Sequence, residues 1–179
     1  MFDLHQLRQA AELIHQSVPP TPQYAWPLLA KRLGCEVWVK HENHTPAGAF
    51  KVRGGLLYVN ELIKQEPHLP GLITATRGNH GISLAMAARK AGLPLQILVP
   101  EGNSMEKNAA MRACGAEVIE YGRDFDTARL RAAELAEANG WHFVPSLHPD
   151  LIRGVATYAL ELLEAVPNLR RVYVPIGLG

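Results

Sequence analysis

A lysine at the start of a helix is electrostatically misplaced, because the macrodipole there favours anions. The segment His41–Gly55, HENHTPAGAFKVRGG, carries one. A turn with Pro46 and Gly48 follows a short strand, and Lys51 opens a helical run, with Phe50 before it and Gly54-Gly55 soon after. Such an amine makes sense beside an anion or a carbonyl. In a dry, electropositive site its pKa falls, and it becomes suited to a Schiff base. The plain alternative is a solvated surface lysine. A second stretch, Thr76-Arg77-Gly78-Asn79-His80-Gly81, follows a strand and opens a helix. Its glycines permit a sharp turn that exposes N–H groups, and a helix start offers unpaired donors and positive potential to an anion. Thr76 and Asn79 add side-chain donors. Read plainly, the stretch is a tight strand-to-helix turn capped by Asn79, with Arg77 either facing solvent or binding the anion. A third stretch, Gly177-Leu178-Gly179, follows another strand. Glycines in that position let the backbone approach a phosphate, although a lone G-x-G says little by itself.

Other chemistries find less support. His41 and His44 lack the i, i+4 spacing of H-E-x-x-H, the remaining histidines are scattered, and no metal is expected. Ser146 and Asp150 have no nucleophile elbow around them. Cys35 and Cys114 form no CxxC pair and read as buried thiols in a reducing compartment. With 18 basic and 17 acidic residues the net charge is +1, so nothing favours nucleic acid or an anionic membrane. Aromatic residues are only 7%, which argues against a base-stacking platform. The N-terminus, MFDLHQLRQAAELIHQ, has helical spacing and neither a basic leader nor a long apolar run; no signal peptide or anchor is expected, and the cytoplasm is the default location.

The elements that must position these residues follow from periodicity. The 179 residues are 47% hydrophobic and 20% charged, which suits a globular protein of one large or two small domains. A first helix is expected over Leu4–Gln16, with Leu4, Leu7, Ala11 and Ile14 on one face. Pro19-Pro20-Thr21-Pro22 ends it and forces an extended entry. A short helix over Pro27–Leu33 stops at Gly34, a strand covers Glu36–Lys40, and Phe50–Lys64 is a helix striped by Val52, Leu56, Val59 and Ile63. From Gly71 three strand–helix units follow: Leu72–Ala75 with His80–Lys90, Leu95–Val99 with Met105–Cys114, and Glu117–Tyr121 with Asp124–Asn139, before a short strand at Trp141–Val144. Alternating units with apolar strands imply a parallel sheet covered by helices. A helix near Leu151–Val166 and a strand at Arg171–Pro175 complete the α/β reading.

In order along the chain, these pieces resemble the fold-type II pyridoxal-phosphate enzymes, and within them the serine/threonine dehydratase and serine racemase branch. Thr21-Pro22 sits at the family's TP start. The run from Lys40 to Gly55 is similar to K-x-E-N-x-x-P-x-G-S-F-K-x-R-G-A, and Gly78-Asn79-His80-Gly81 to the S-x-G-N-H block. Lys107 with Gly115-Ala116-Glu117-Val118, Gly154 to Thr157 followed by Glu161, and Val174 to Gly179 resemble the later blocks. The resemblance implies a tryptophan synthase β-subunit-like architecture of two parallel-sheet domains. Residues 1–70 and 146–179 would form parts of a large domain, here apparently truncated inside the phosphate loop, and 71–145 a small one. The chain would then be a fragment of a longer enzyme.

The resemblance also implies roles. Lys51 would bind pyridoxal 5'-phosphate covalently and shuttle a proton. Phe50 would pack beside the cofactor ring, Asn79 would hydrogen-bond its hydroxyl, and Gly177 and Gly179 would begin the phosphate cradle. Thr76, Arg77, Gly78, Asn79 and His80 would hold the substrate carboxylate. The implied reaction is dehydration of L-threonine or L-serine to a 2-oxo acid and ammonia, with a small hydroxy amino acid as the ligand, no nucleic acid or membrane partner, and a homodimer as one form open to the full-length protein. Serine racemisation and 3-hydroxyaspartate dehydration are rivals within the family; a non-catalytic amino-acid-binding module is a rival outside it. Two departures bear on the site: Ala49 replaces the usual serine, and Thr76-Arg77 replaces two small hydroxyl residues.

Overall fold

The computed structural model describes residues 2–175. Helix α1 spans Leu4–His15 and begins with a capping box, in which the Asp3 carboxylate accepts from the Gln6 N–H and the Gln6 side chain accepts from the Asp3 N–H. Its buried residues are Ala10, Ala11 and Ile14; Leu4, expected on that face, is exposed in the first turn. The extended entry contains a strand that periodicity missed. Strand β1 (Gln23–Ala25) pairs antiparallel with β2 (Trp38–Lys40), and α2 (Pro27–Leu33) lies between them in sequence, ending at Gly34 in the left-handed region. A 3₁₀ turn at Glu42–His44 leads to α3 (Lys51–Gln65).

Helix α3 is buried over most of its circumference, from Val52 through Val59, as expected of a helix enclosed by others. Consecutive glycines allow two neighbours to reach it. A Cβ on Gly54 would stand 2.7 Å from the Leu151 carbonyl oxygen, and one on Gly154 would stand 2.5 Å from the Arg53 carbonyl oxygen, so α3 and α7 (Pro149–Ala165) cross backbone to backbone. On the next position, a Cβ at Gly55 would collide with the Ser83 hydroxyl of α4 (Asn79–Ala91). That hydroxyl donates to the Lys51 carbonyl at 2.6 Å. The first turn of α3 is therefore fixed from both sides.

The remaining strands are β3 (Leu72–Ala75), β4 (Leu95–Val99), β5 (Glu117–Glu120) and β6 (His142–Phe143), joined through α4, α5 (Met105–Ala113) and α6 (Phe125–Asn139). They form one parallel sheet in the order β5-β4-β3-β6. Alternate residues of β3 and β4 serve opposite layers. Leu72, Ile97 and Val99 join the core with α3, α4 and Met111, whereas Ile73, Ala75 and Leu98 pack on Ala128, Ala132 and Ala136 of α6. Because β6 returns to the far side of β3, the strand order reverses there. The loop after β3 consequently opens at the switch point, where α/β sheets place their ligands.

The strand expected at Arg171–Pro175 is absent. The segment is irregular, with Val172, Tyr173 and Val174 exposed, and no described strand lies beside it to complete a ladder. Residues 176–179, and with them the expected phosphate-cradle glycines Gly177 and Gly179, lie outside the described residues.

Candidate active site

Lys51 is the first residue of α3, and Phe50 is its cap residue. The preceding loop is held by the buried Thr45, whose hydroxyl donates to the Ala49 carbonyl and accepts from the Ala49 N–H; Gly48 takes the left-handed conformation that closes the turn. Phe50 stands edge-on to Tyr158 at 6.1 Å between centroids, and the Lys51 amine lies 5.3 Å from the Phe50 centroid. Partial burial lowers the Lys51 pKa. Among the described residues the amine makes no ion pair. Lys51 is thus half-buried and without an ion-pair partner among the described residues.

The turn after β3 faces the same place. Gly78 precedes α4, and no side chain caps the helix; the expectation of Asn79 as the cap does not hold, because Asn79 is already the first helical residue and its Oδ1 accepts from the Lys107 ammonium at 3.0 Å. The buried Thr76 hydroxyl accepts from the Gly78 N–H at 3.2 Å. Gly78 then receives the N–H groups of Gly81 and Ile82 at its carbonyl. The N–H groups of Arg77, Asn79 and His80 have no partner among the described residues. Three free donors at a helix N-terminus form an anion cradle. The Arg77 side chain is exposed and makes no ion pair among the described residues.

His80 links the two stretches. Burial, and then the nearby Lys51 charge, push its pKa down to about 4, and its Nε2 is buried with no hydrogen-bond partner among the described residues. It is therefore a neutral imidazole with a free polar atom in the site. The sign of its contribution to stability follows. Between pH 6.5 and 4 the unfolded chain binds the proton and the folded one does not, so stability falls as pH drops through this window, by about 3 kcal/mol at most. Denaturant titrations across that range are expected to show the decline, and His80→Gln to reduce its slope; a slope remains from His142, whose pKa burial also lowers, and below pH 4.5 from Glu161. An unchanged slope in the variant would assign the effect elsewhere.

Sequence reasoning missed a buried network around Arg53, two residues after Lys51. The Arg53 guanidinium, fully buried, donates to Glu42 at 2.8 and 3.0 Å, to Glu161 at 2.5 and 3.0 Å, and to Thr157 at 3.2 Å. Lys40 donates to Glu161 and to the Thr21 carbonyl, the Thr21 hydroxyl donates to Glu42, and His15 pairs with Glu161. Burial alone would lower the Arg53 pKa, but the bonds to Glu161 and Glu42 raise it above its usual value. Burial likewise opposes ionisation of Glu161, yet Arg53, Lys40 and His15 hold its pKa down at about 2. Every one of these residues except His15 falls in the sequence blocks quoted above; their common destination was the missing signal.

Two larger features lie elsewhere. A cavity of about 440 Å³ opens between Glu66–Pro70 and Gly140–His142, at the entry ends of β3 and β6 and away from the cradle. The His41 and His44 rings lie 5.3 Å apart, tilted by 44°, beside Trp26, whose indole N–H points to His41. Among the described residues no group of three His, Cys, Asp or Glu side chains could hold a metal, and no helix is long and apolar enough to cross a membrane.

The family described as "Pyridoxal-phosphate dependent enzyme" matches residues 14–179. The chain belongs to that family. It is similar to the biosynthetic L-threonine dehydratase IlvA of Haemophilus influenzae, with 34% identity over 93% of this chain and 32% of the relative. It is also similar to the L-threo-3-hydroxyaspartate ammonia-lyase of Saccharomyces cerevisiae, with 36% identity over 95% of this chain and 52% of that protein. Among solved structures, a pyridoxal 5'-phosphate-dependent aspartate racemase superposes with a TM-score of 0.87 at 31% identity, over 93% of this chain and 52% of the other. The chain thus spans about a third to a half of the length of these pyridoxal-phosphate relatives. The site's residues fit the family's cofactor: an unpaired amine with a lowered pKa, an orphaned buried imidazole nitrogen and free backbone donors suit an aldehyde carried with anionic groups.

Proposed function

We propose that the whole protein is a pyridoxal-phosphate-dependent lyase that dehydrates L-threonine or L-serine to a 2-oxo acid and ammonia. The observation that carries this reading is the partly desolvated Lys51 amine beside a helix-start turn with three N–H groups unpaired among the described residues. Bound pyridoxal phosphate supplies an electron sink for the Cα carbanion. Lys51 would hold the cofactor aldehyde until the substrate amine displaces it, and the amine so freed would take the α-proton; its lowered pKa leaves more of it in the basic form. The N–H groups of Arg77, Asn79 and His80 receive the substrate carboxylate and orient the α-hydrogen toward that amine. Phe50 walls the ring, and neutral His80 keeps a second cation away from Lys51. The resemblance would assign the start of the phosphate cradle to Gly177 and Gly179, which lie outside the described residues.

The segments 1–70 and 146–179 are read as parts of one domain and 71–145 as the other. The contact of Gly54 with Gly154 supports the first grouping, and containment of all four parallel strands in the second supports the other. A cytoplasmic homodimer is the expected form.

Arg77 favours a second substrate. An exposed, unpaired guanidinium where the family pattern has a small hydroxyl residue would pair with a second carboxylate, as in 3-hydroxyaspartate. Ammonia and 2-oxobutyrate released from L-threonine by the whole protein test the main reading. A higher kcat/KM for 3-hydroxyaspartate, lost in Arg77→Ser, would replace it with the second. Formation of D-serine from L-serine without ammonia would make the protein a racemase.

A further inference from the structure

Lys107 stands in the first turn of α5, where the helix dipole disfavours a cation, and among the described residues it has no carboxylate partner. Its ammonium instead crosses to α4 and donates to Asn79 Oδ1 at 3.0 Å. The stem runs along the cradle: a Cβ on Gly78 would sit 3.7 Å from the Lys107 Cγ and Cδ. The base of the side chain is held as well. Ser104 caps α5 by accepting from the Lys107 N–H, and the adjoining Asn108, only 2% exposed, is tied to Asn103 and Glu120.

The chemistry of the pair gives this contact a direction. A carboxamide presents an acceptor on one side and two donors on the other, whereas an ammonium only donates. Lys107 can therefore bond only the Asn79 oxygen, and in doing so it turns the Asn79 NH₂ outward. It also draws charge from the amide, making the NH₂ a stronger donor. We propose that Lys107 is a positioning residue that fixes the Asn79 amide with its NH₂ toward the bound cofactor's ring oxygen, favouring the ionised form of that oxygen. This rests on the proposed function and on the cofactor contact that the family resemblance implies for Asn79. A donor to an anionic oxygen lowers the pKa of the group that carries it, so the consequence is spectroscopic as well as energetic.

The test uses the whole protein reconstituted with pyridoxal phosphate, without substrate. Cofactor affinity and the pH midpoint of the near-visible band are measured for the wild type, Lys107→Met, Lys107→Arg, Asn79→Ala and the double variant Asn79→Ala/Lys107→Met, each checked for folding by circular dichroism. Lys107→Met is expected to weaken cofactor binding about tenfold and to raise the midpoint. Lys107→Arg, which still only donates, restores most of both. In the Asn79→Ala background the Lys107→Met change has no further effect, because Lys107 acts through the amide. A wild-type midpoint in Lys107→Met overturns the proposal, as does an effect of equal size in the Asn79→Ala background. If Lys107→Met fails to fold, wild-type values in Lys107→Gln, which can turn the amide either way, overturn it equally. Failure of the wild type to bind the cofactor is a different result: it removes the enzyme reading itself.

Discussion

Replacing Lys51 with alanine is expected to abolish turnover while leaving the protein folded. The amine makes no ion pair among the described residues, and only the Lys51 backbone carbonyl is tied down, by the Ser83 hydroxyl. Its lowered pKa means that the fold penalises its charge, so truncation removes a small cost and no partner. Chemistry, in contrast, loses both the covalent anchor and the base. Positioned bases alone contribute roughly 10²–10⁴-fold, so the rate of 2-oxobutyrate formation should fall by about 10³-fold or more, with the thermal midpoint unchanged. Substantial activity in Lys51→Ala would place the base on another residue.

The second large effect is structural. Arg53→Met is expected to cost about 3–5 kcal/mol, because it leaves the Glu42 and Glu161 carboxylates facing each other across a buried space. Out of a typical stability of about 5–15 kcal/mol this is severe. Acid sensitivity identifies the cause. Held at about 2 in the folded protein and near 4.5 when unfolded, Glu161 stabilises fully above pH 4.5, and its contribution is lost as pH falls toward 2. Without Arg53 its folded pKa rises, so acid unfolding of the variant should begin at higher pH. Denaturant midpoints at several pH values check both points; a loss below about 1 kcal/mol would mean that the network is dispensable.

Why these two residues differ so much, only two positions apart, explains what the sequence could reveal. The strand–helix units from Leu72 onward were legible, because short apolar strands and helices ending at Gly92 and Gly140 are written locally. Lys51 and the Thr76–His80 turn stood out as candidates for the same reason. Relations between distant segments were not legible. Glu42, Arg53 and Glu161 stood in separate sequence blocks, and their separations of 11 and 108 residues carry no periodic signal. Strand β1 was hidden in a proline-flanked entry because its three residues are too few for a pattern and its partner comes after a helix. The expected strand at Arg171–Pro175 shows the converse: a β-rich composition makes a strand only where a neighbour supplies the ladder. Asn79 looked like a cap until Lys107, 28 residues later, claimed its oxygen.

The central claim is that one amine, prepared by burial beside the Gly78 turn, carries the cofactor. Borohydride reduction of the whole protein loaded with pyridoxal phosphate, followed by peptide mass mapping, tests it directly. The account predicts loss of the near-visible band and a single modified peptide with the added mass on Lys51. Modification at Lys40, at Lys107 or at no lysine would contradict it.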